Sequence, residues 1–357
     1  MGEIVNLGAR RPAPAGSRGG SVLVTGGCGY IGSHVVLALL AAGWRVAVLD
    51  DLSTGRVRPL HRACEVVVGD IADSALLART LARHDVVAVV HLAARLVAPE
   101  SVRQPLDYYR VNTAGSLTLI ETCVEHGLGA FVFSSTAAVY GSPRTSPVDE
   151  ETEPRPVNPY GGSKLAVERM LADAERAFDL PYAALRYFNV AGADPHGRAG
   201  HGAGAAPHLI RVACQAALGQ RDAVPIFGTD YPTADGTCVR DYVHVSDLAD
   251  AHVAMLDHLL GGGPSSVVNI GYGRGRSVRE VVDAVQRVAG CRLPVRLAPR
   301  RAGDPAEVVA SNARLRRMLD WRPRFADLDL MIGHALAWEK QLLDESRRPT
   351  TDRAAGA

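Results

Sequence analysis

Residues 25–32 read Thr25-Gly26-Gly27-Cys28-Gly29-Tyr30-Ile31-Gly32, directly after the apolar run Val22-Leu23-Val24. This is a strand that delivers the chain into a glycine-rich turn and then a helix. Gly26 permits the tight turn, Gly29 lets the main chain approach a phosphate, and Gly32 lets the helix pack close to the strand. Free N–H groups at the helix start, with the positive end of its dipole, then face an anion. The helix runs over 30–42 to Gly43, and a second apolar strand, Trp44 to Leu49, ends on Asp50 and Asp51. An acidic residue about 20 positions beyond the glycines meets the adenosine ribose of a dinucleotide. Asp50 there accepts from both ribose hydroxyls and repels a 2′-phosphate. Asp51 adds a second negative charge, so the pair reads as NAD rather than NADP.

Apolar strands at 21–25, 44–50, 64–69, 86–91, 130–134 and 182–188 alternate with helical stretches near 30–42, 73–84, 101–126 and 156–178. That alternation predicts an α/β fold, a doubly wound parallel sheet (Rossmann) covered by helices on both faces. After Tyr187 the texture changes, and the Gly- and Ala-rich residues 194–207 read as a loop over a ligand. A second, smaller mixed α/β substrate domain is expected to follow. The expected boundaries are 21–190 with 235–262 for the NAD-binding domain and 191–234 with 263–344 for the substrate domain. Residues 1–20 and 345–357 are expected to be disordered tails.

The 357 residues are enough for a substantial core. A net charge of +1 gives no bulk attraction to nucleic acid or an anionic membrane. The apolar stretch Val35 to Ala42 is too short to span a bilayer, and residues 1–20 lack the apolar core of a secretion signal. Six cysteines without a Cys-x-x-Cys pair point to a reduced cytoplasmic setting. Twelve histidines include no pair at metal-binding helical spacing, so no metal is expected.

The chemistry falls on Pro159-Tyr160-Gly161-Gly162-Ser163-Lys164. Four residues on a helix place Tyr160 and Lys164 on one face, a turn apart. A phenol titrates near pKa 10, and bringing it to neutrality takes about 4 kcal/mol. A unit charge about 5 Å away contributes roughly 3 kcal/mol at an effective dielectric near 20. Lys164 is therefore expected to make Tyr160 a proton carrier, with the positive nicotinamide ring supplying the rest. Upstream, Phe131-Val132-Phe133-Ser134-Ser135-Thr136 ends a strand at the carboxyl edge of the sheet, where ligands of such folds bind. Thr136 can there hydrogen-bond a substrate hydroxyl beside Tyr160.

Further stretches carry a family likeness over about residues 21–342. They are Leu49-Asp50-Asp51-Leu52-Ser53, Gly69-Asp70-Ile71, His91-Leu92-Ala93-Ala94, Tyr108-Tyr109-Arg110-Val111-Asn112 and Arg186-Tyr187-Phe188-Asn189. Then come Ile226 to Thr233, Asp235-Gly236-Thr237, Val239 to Val245 and Arg300-Arg301-Ala302-Gly303-Asp304. The chain resembles the extended short-chain dehydrogenase/reductase family and, within it, the UDP-glucose (UDP-galactose) 4-epimerases.

The resemblance implies that Gly26, Gly29, Tyr30, Ile31 and Gly32 line a pyrophosphate. Asp50, Asp51, Leu52 and Ser53 lie at the ribose, and Asp70 and Ile71 flank adenine. Leu92, Ala93, Ala94 and Asn112 border the cofactor, and Phe188 lies against the nicotinamide. Thr136, Tyr160 and Lys164 form the catalytic set. Asn189, His208, Leu209, Phe227, Arg240, Tyr242, Arg301 and Asp304 face the UDP-sugar. Guanidinium groups also suit diphosphate oxygens in their own right. The implied reaction interconverts UDP-galactose and UDP-glucose through a 4-ketosugar that turns over in the pocket, with NAD regenerated in each cycle. The helices near 101–126 and 156–178 are implied to form a homodimer.

Ala137-Ala138 stand where a dehydratase needs an acid. Arg95 and Leu96 occupy a stretch where many 4-epimerases carry a lysine, and Gly197 to Arg211 lacks the expected acidic residues. Val308, at a position that is bulky in some relatives, leaves other UDP-sugars such as N-acetylhexosamines open. A net dehydrogenase or a non-catalytic NAD-binding sensor remain the other classes. The intact Thr136–Tyr160–Lys164 set argues against the sensor.

Overall fold

The structure is a computed structural model that describes residues 4–5, 19–202, 208–301 and 303–347. Its main sheet runs, in spatial order, Ile4–Val5, Glu65–Val68, Arg45–Asp50, Ser21–Thr25, Val86–His91, Ala130–Thr136, Tyr182–Tyr187, Ser266–Ile270. Ile4–Val5 pairs antiparallel, and every other neighbour is parallel. The strands are apolar along their length because both faces are covered. Val22, Val24, Val48, Val90, Val132 and Leu185 pack with Val35 and Leu39 of the helix Tyr30–Ala41 and Leu248 and Met255 of the helix Val245–Leu260. Leu23, Leu49, Val89, Phe131 and Phe133 pack the other way, against Leu77, Leu119, Val167 and Leu171. Strand order reverses between Ser21–Thr25 and Val86–His91, which opens a crevice at their carboxyl ends.

A smaller body is built on the strand Val239–His244, which pairs with Asn189–Ala191, Gly275–Ser277 and Glu307–Val308. Helices Leu209–Ala217, Val278–Ala289 and Leu328–Arg347 share a third core around Ile210, Val281, Val285 and Ile332. Among the described residues, no helix is long and apolar enough to cross a membrane.

The structure corrects the expected boundaries in three places. Ser266–Ile270 lies beyond residue 262 yet completes the main sheet beside Tyr182–Tyr187, where it buries Val268 and Ile270. Val239–His244 pairs within the smaller sheet, while its Val243 and the helix that follows it pack into the core of the large domain. The helix expected over 101–126 is divided into Ala98–Arg103, Pro105–Tyr108, a π-turn over Tyr109–Ala114 and Gly115–Glu125. Pro105 lacks the N–H that would continue the first segment. Of the two expected tails, residues 4–5 form a strand and 345–347 continue the last helix. Residues 1–3, 6–18 and 348–357 lie outside the described residues.

Candidate active site

The glycine-rich turn is held by backbone contacts that leave no room for side chains. Gly26 has φ +70°, and a Cβ on it would sit 2.7 Å from the Ala93 nitrogen; one on Gly32 would sit 2.1 Å from the Gly26 oxygen. A Cβ on Gly29 would meet only the Gly26 oxygen, at 3.2 Å, so this position opens outward. The helix Tyr30–Ala41 starts with no side-chain cap. An uncapped, dipole-positive helix start beside open space fits the pyrophosphate of NAD.

Asp50 is buried, and its two oxygens accept from the backbone N–H of Cys28 and of Leu52, each at 2.9 Å. It therefore fixes the turn against the loop that follows. Burial raises its pKa against the pull of those two bonds. Asp51 is exposed and accepts from the Ser53 amide and hydroxyl, closing a local turn. Leu52 has φ +58° and packs on the first core. Asp70 accepts from Ala72 N–H.

Three expected cofactor side chains point elsewhere. The Tyr30 hydroxyl donates to the Gly192 carbonyl at 2.8 Å, and its ring stacks on His201 at 3.5 Å. Only its main chain faces the phosphate position. Ile71 is 3% exposed in the second core, so only its backbone can border adenine. Asn112 uses its amide as a bracket: Oδ1 accepts from Arg95 N–H, while Nδ2 donates to the Arg95 carbonyl and to Ser163 Oγ. Leu92 donates its N–H to the Thr25 carbonyl, and Ala93 donates more weakly to Thr25 Oγ1 at 3.4 Å. Ala94, half-buried, continues this segment at the crevice rim.

The helix Pro159–Phe178, which carries the candidate catalytic pair, begins with Pro159 at its first position, and Asn158 Oδ1 caps the Gly161 N–H. Its first two turns carry Tyr160 and Lys164 to the end of the strand Ala130–Thr136. The Thr136 hydroxyl lies near enough to Tyr160 to draw the phenol's pKa down, and its oxygen accepts from Ala138 N–H. Lys164 is 1% exposed; its Nζ donates to the Ser134 carbonyl at 2.9 Å and lies 4.9 Å over the Phe133 ring. Burial pushes the Lys164 ammonium down to about 7 and the Tyr160 phenol up, against the Thr136 bond. Burial is the leading cause for both groups, and the Lys164 charge is not among the influences on Tyr160, so the expected lowering of the phenol by Lys164 is not seen. Phe188 packs beside this set with Leu165, Val139 and Val308.

On the substrate side, Asn189, His208, Leu209 and Tyr242 line one small cavity in the smaller body. Arg240, two residues before Tyr242 on the same strand, pairs with Asp304 at 3.2 Å. The Arg301 guanidinium lies 3.8 Å over the Phe227 ring. Arg95, by contrast, pairs at 3.4 Å with Glu100, at the crevice rim.

Two supports escaped the sequence reading. Ser134 supplies the carbonyl that holds Lys164, and its place in the strand-ending Ser134-Ser135-Thr136 run was the available signal. Glu168, one turn past Lys164, binds Ser135 Oγ and takes Arg186 in bidentate fashion beneath the site. Nothing local in the sequence marks that partnership.

The model of the NAD dependent epimerase/dehydratase family matches residues 22–271. The UDP-glucose 4-epimerase of Azospirillum brasilense is 55% identical over 321 residues, 90% of this chain and 92% of that protein. A crystal structure of UDP-glucose 4-epimerase from Brucella ovis in complex with NAD superposes with a TM-score of 0.86 at 43% identity, over 89% of this chain and 98% of that one. The UDP-glucose 4-epimerase from Bifidobacterium longum, in complex with NAD+ and UDP, gives a TM-score of 0.84 at 36% identity, over 90% and 98%.

Proposed function

The chain belongs to the NAD dependent epimerase/dehydratase family, and from that premise we propose that it interconverts UDP-galactose and UDP-glucose by inversion at sugar C4. The observation that carries this reading is the convergence of Thr136, Tyr160 and Lys164 at the carboxyl edge of the sheet, facing an uncapped helix start. Gly26, Gly29 and the first-turn amides would hold the pyrophosphate of NAD, with Asp50 at its ribose. Bound there, NAD would supply the acceptor and then the donor of the sugar C4 hydride.

Tyr160 takes the proton from the sugar 4-hydroxyl and gives it back, and Thr136 stands beside the phenol, where its hydroxyl can meet the same sugar oxygen. Lys164, fixed by the Ser134 carbonyl, exchanges the proton that Tyr160 handles. Arg240 and Arg301 grip the diphosphate, Asn189, His208, Leu209 and Tyr242 bound the nucleotide, and the hexose is left free to turn over. Val308 sits opposite Arg240 in the smaller sheet and packs with Phe188. A side chain of that modest size favours a second reading, in which N-acetylated UDP-sugars are also accepted.

Val102, Leu106, Tyr109 and Leu117 are exposed apolar side chains gathered within residues 102–117, which supports a homodimer through this segment. Six free thiols support a reducing compartment, the cytoplasm. The test is to incubate the purified protein with UDP-galactose, adding no NAD, and separate the products. UDP-glucose is the expected product; stoichiometric NADH from added NAD would instead indicate a dehydrogenase.

A further inference from the structure

His91 closes the strand Val86–His91 with an imidazole that is 1% exposed, and none of the steps above uses it. Both ring nitrogens are bonded, Nδ1 to Thr25 Oγ1 and Nε2 to Ser116 Oγ, each at 2.7 Å. The direction of every proton follows from the far end. The Ser116 hydroxyl donates to the Asn112 carbonyl at 2.5 Å, so its oxygen accepts from His91 Nε2–H. Nδ1 of this neutral ring then accepts from the Thr25 hydroxyl, whose oxygen takes the Ala93 N–H. Past Asn112 the chain continues: Nδ2 donates to Ser163 Oγ at 3.0 Å, and Ser163 donates to the Tyr160 carbonyl at 2.8 Å. One series of hydrogen bonds thus runs from the segment wedged against Gly26 to the main chain of Tyr160.

The ring also stacks at 5.7 Å on Phe133, which carries Lys164 on its face. Burial and the Lys164 charge push the His91 pKa down to about 3, so the imidazole stays neutral over the working range. Its two nitrogens keep distinct roles, one accepting and one donating.

We propose that His91 is a positioning residue that couples the cofactor turn to the catalytic helix. Its Nδ1 side sets the Thr25–Gly26 turn and hence the hold on NAD. Its Nε2 side sets Asn112, Ser163 and hence Tyr160. The proposal rests on the epimerase reading above.

The two sides separate by substitution, because an asparagine amide reaches the place of Nδ1 and a glutamine amide that of Nε2. His91→Asn is expected to lower kcat about tenfold or more while speeding exchange of bound NAD against labelled NAD far less; His91→Gln is expected to reverse that order. Should these variants prove insoluble, Thr25→Val and Ser116→Ala cut the same chain on either side of an intact ring. Thr25→Val is then expected to act on exchange and Ser116→Ala on kcat. Equal losses of both properties in the paired variants, or no loss in either, overturn the coupling and leave His91 a packing residue. NAD exchange is read without substrate, so a parent protein that failed to convert UDP-galactose would sink the functional reading separately.

Discussion

At the scale of single residues, the proposed proton chemistry rests on one phenol and one buried amine. Tyr160→Phe keeps the ring and removes the proton carrier, and positioned acid–base groups contribute about 10²–10⁴-fold. A fall in kcat of that order is expected with KM little changed, read by product separation at saturating UDP-galactose. The pair must lose a proton before it can take one from the sugar, and Lys164 sits at about 7. The rate is therefore expected to rise as pH climbs through about 7 and to level above it. Lys164→Met should move this limb to higher pH as kcat falls. The same group sets a stability slope. Its folded-state value lies below the roughly 10.4 of an unfolded lysine, so between those values the unfolded chain binds more protons and stability rises with pH. Lys164→Met is expected to flatten that slope and to leave Tm at pH 7 at or above that of the parent. A lower Tm at pH 7 would show that the buried ammonium is a stabilising contact.

The element that matters most is the helix Pro159–Phe178, which carries chemistry at its start and an ion pair at its middle. Glu168 and Arg186 are each about 4% exposed and bonded twice to each other, with Ser135 as a third partner. Removing one partner strands a buried charge, so Glu168→Ala is expected to cost about 3–5 kcal/mol in urea unfolding. Glu168→Leu combined with Arg186→Met should recover most of that loss; failure to recover would mean that the pair also specifies the helix position. Helix and strand spacings made Tyr160, Lys164 and Thr136 legible, because a four-residue step and a strand end are local facts. The partnerships of Ser134 and Glu168 were not legible, because Ser134 meets Lys164 across 30 residues and Glu168 meets Arg186 across 18, and only the packing of helix on sheet brings each pair together. Tyr30 and Ile71 were placed in the right segments, but which way a side chain turns depends on neighbours such as His201 and Gly115 that no spacing announces. The strand Ser266–Ile270 was assigned to the wrong body for the same reason: its pairing with Tyr182–Tyr187 is a contact across some 80 residues.

At the scale of the whole molecule, the glycine-rich turn fixed the large body, whereas the edges of the two bodies were set by packing. The same reasoning bears on assembly. Val102, Leu106, Tyr109 and Leu117 are 63%, 71%, 42% and 43% exposed, although the segment around them is tied inward through Tyr108, Asn112 and Ser116. Scattered apolar side chains need no explanation, but four within residues 102–117, on the successive segments Ala98–Arg103, Pro105–Tyr108, Tyr109–Ala114 and Gly115–Glu125, make a stripe along this stretch of chain. A second copy of the chain would cover it by a two-fold contact in which each stripe meets its own counterpart. The parent is then expected to sediment as a dimer at micromolar concentration. Leu106→Glu with Leu117→Glu places two charges in the contact, and that variant should sediment as a monomer with its own fold intact by circular dichroism. A parent that stays monomeric as concentration rises, or a double variant that stays dimeric, would put the interface elsewhere, and the stripe would then be ordinary surface.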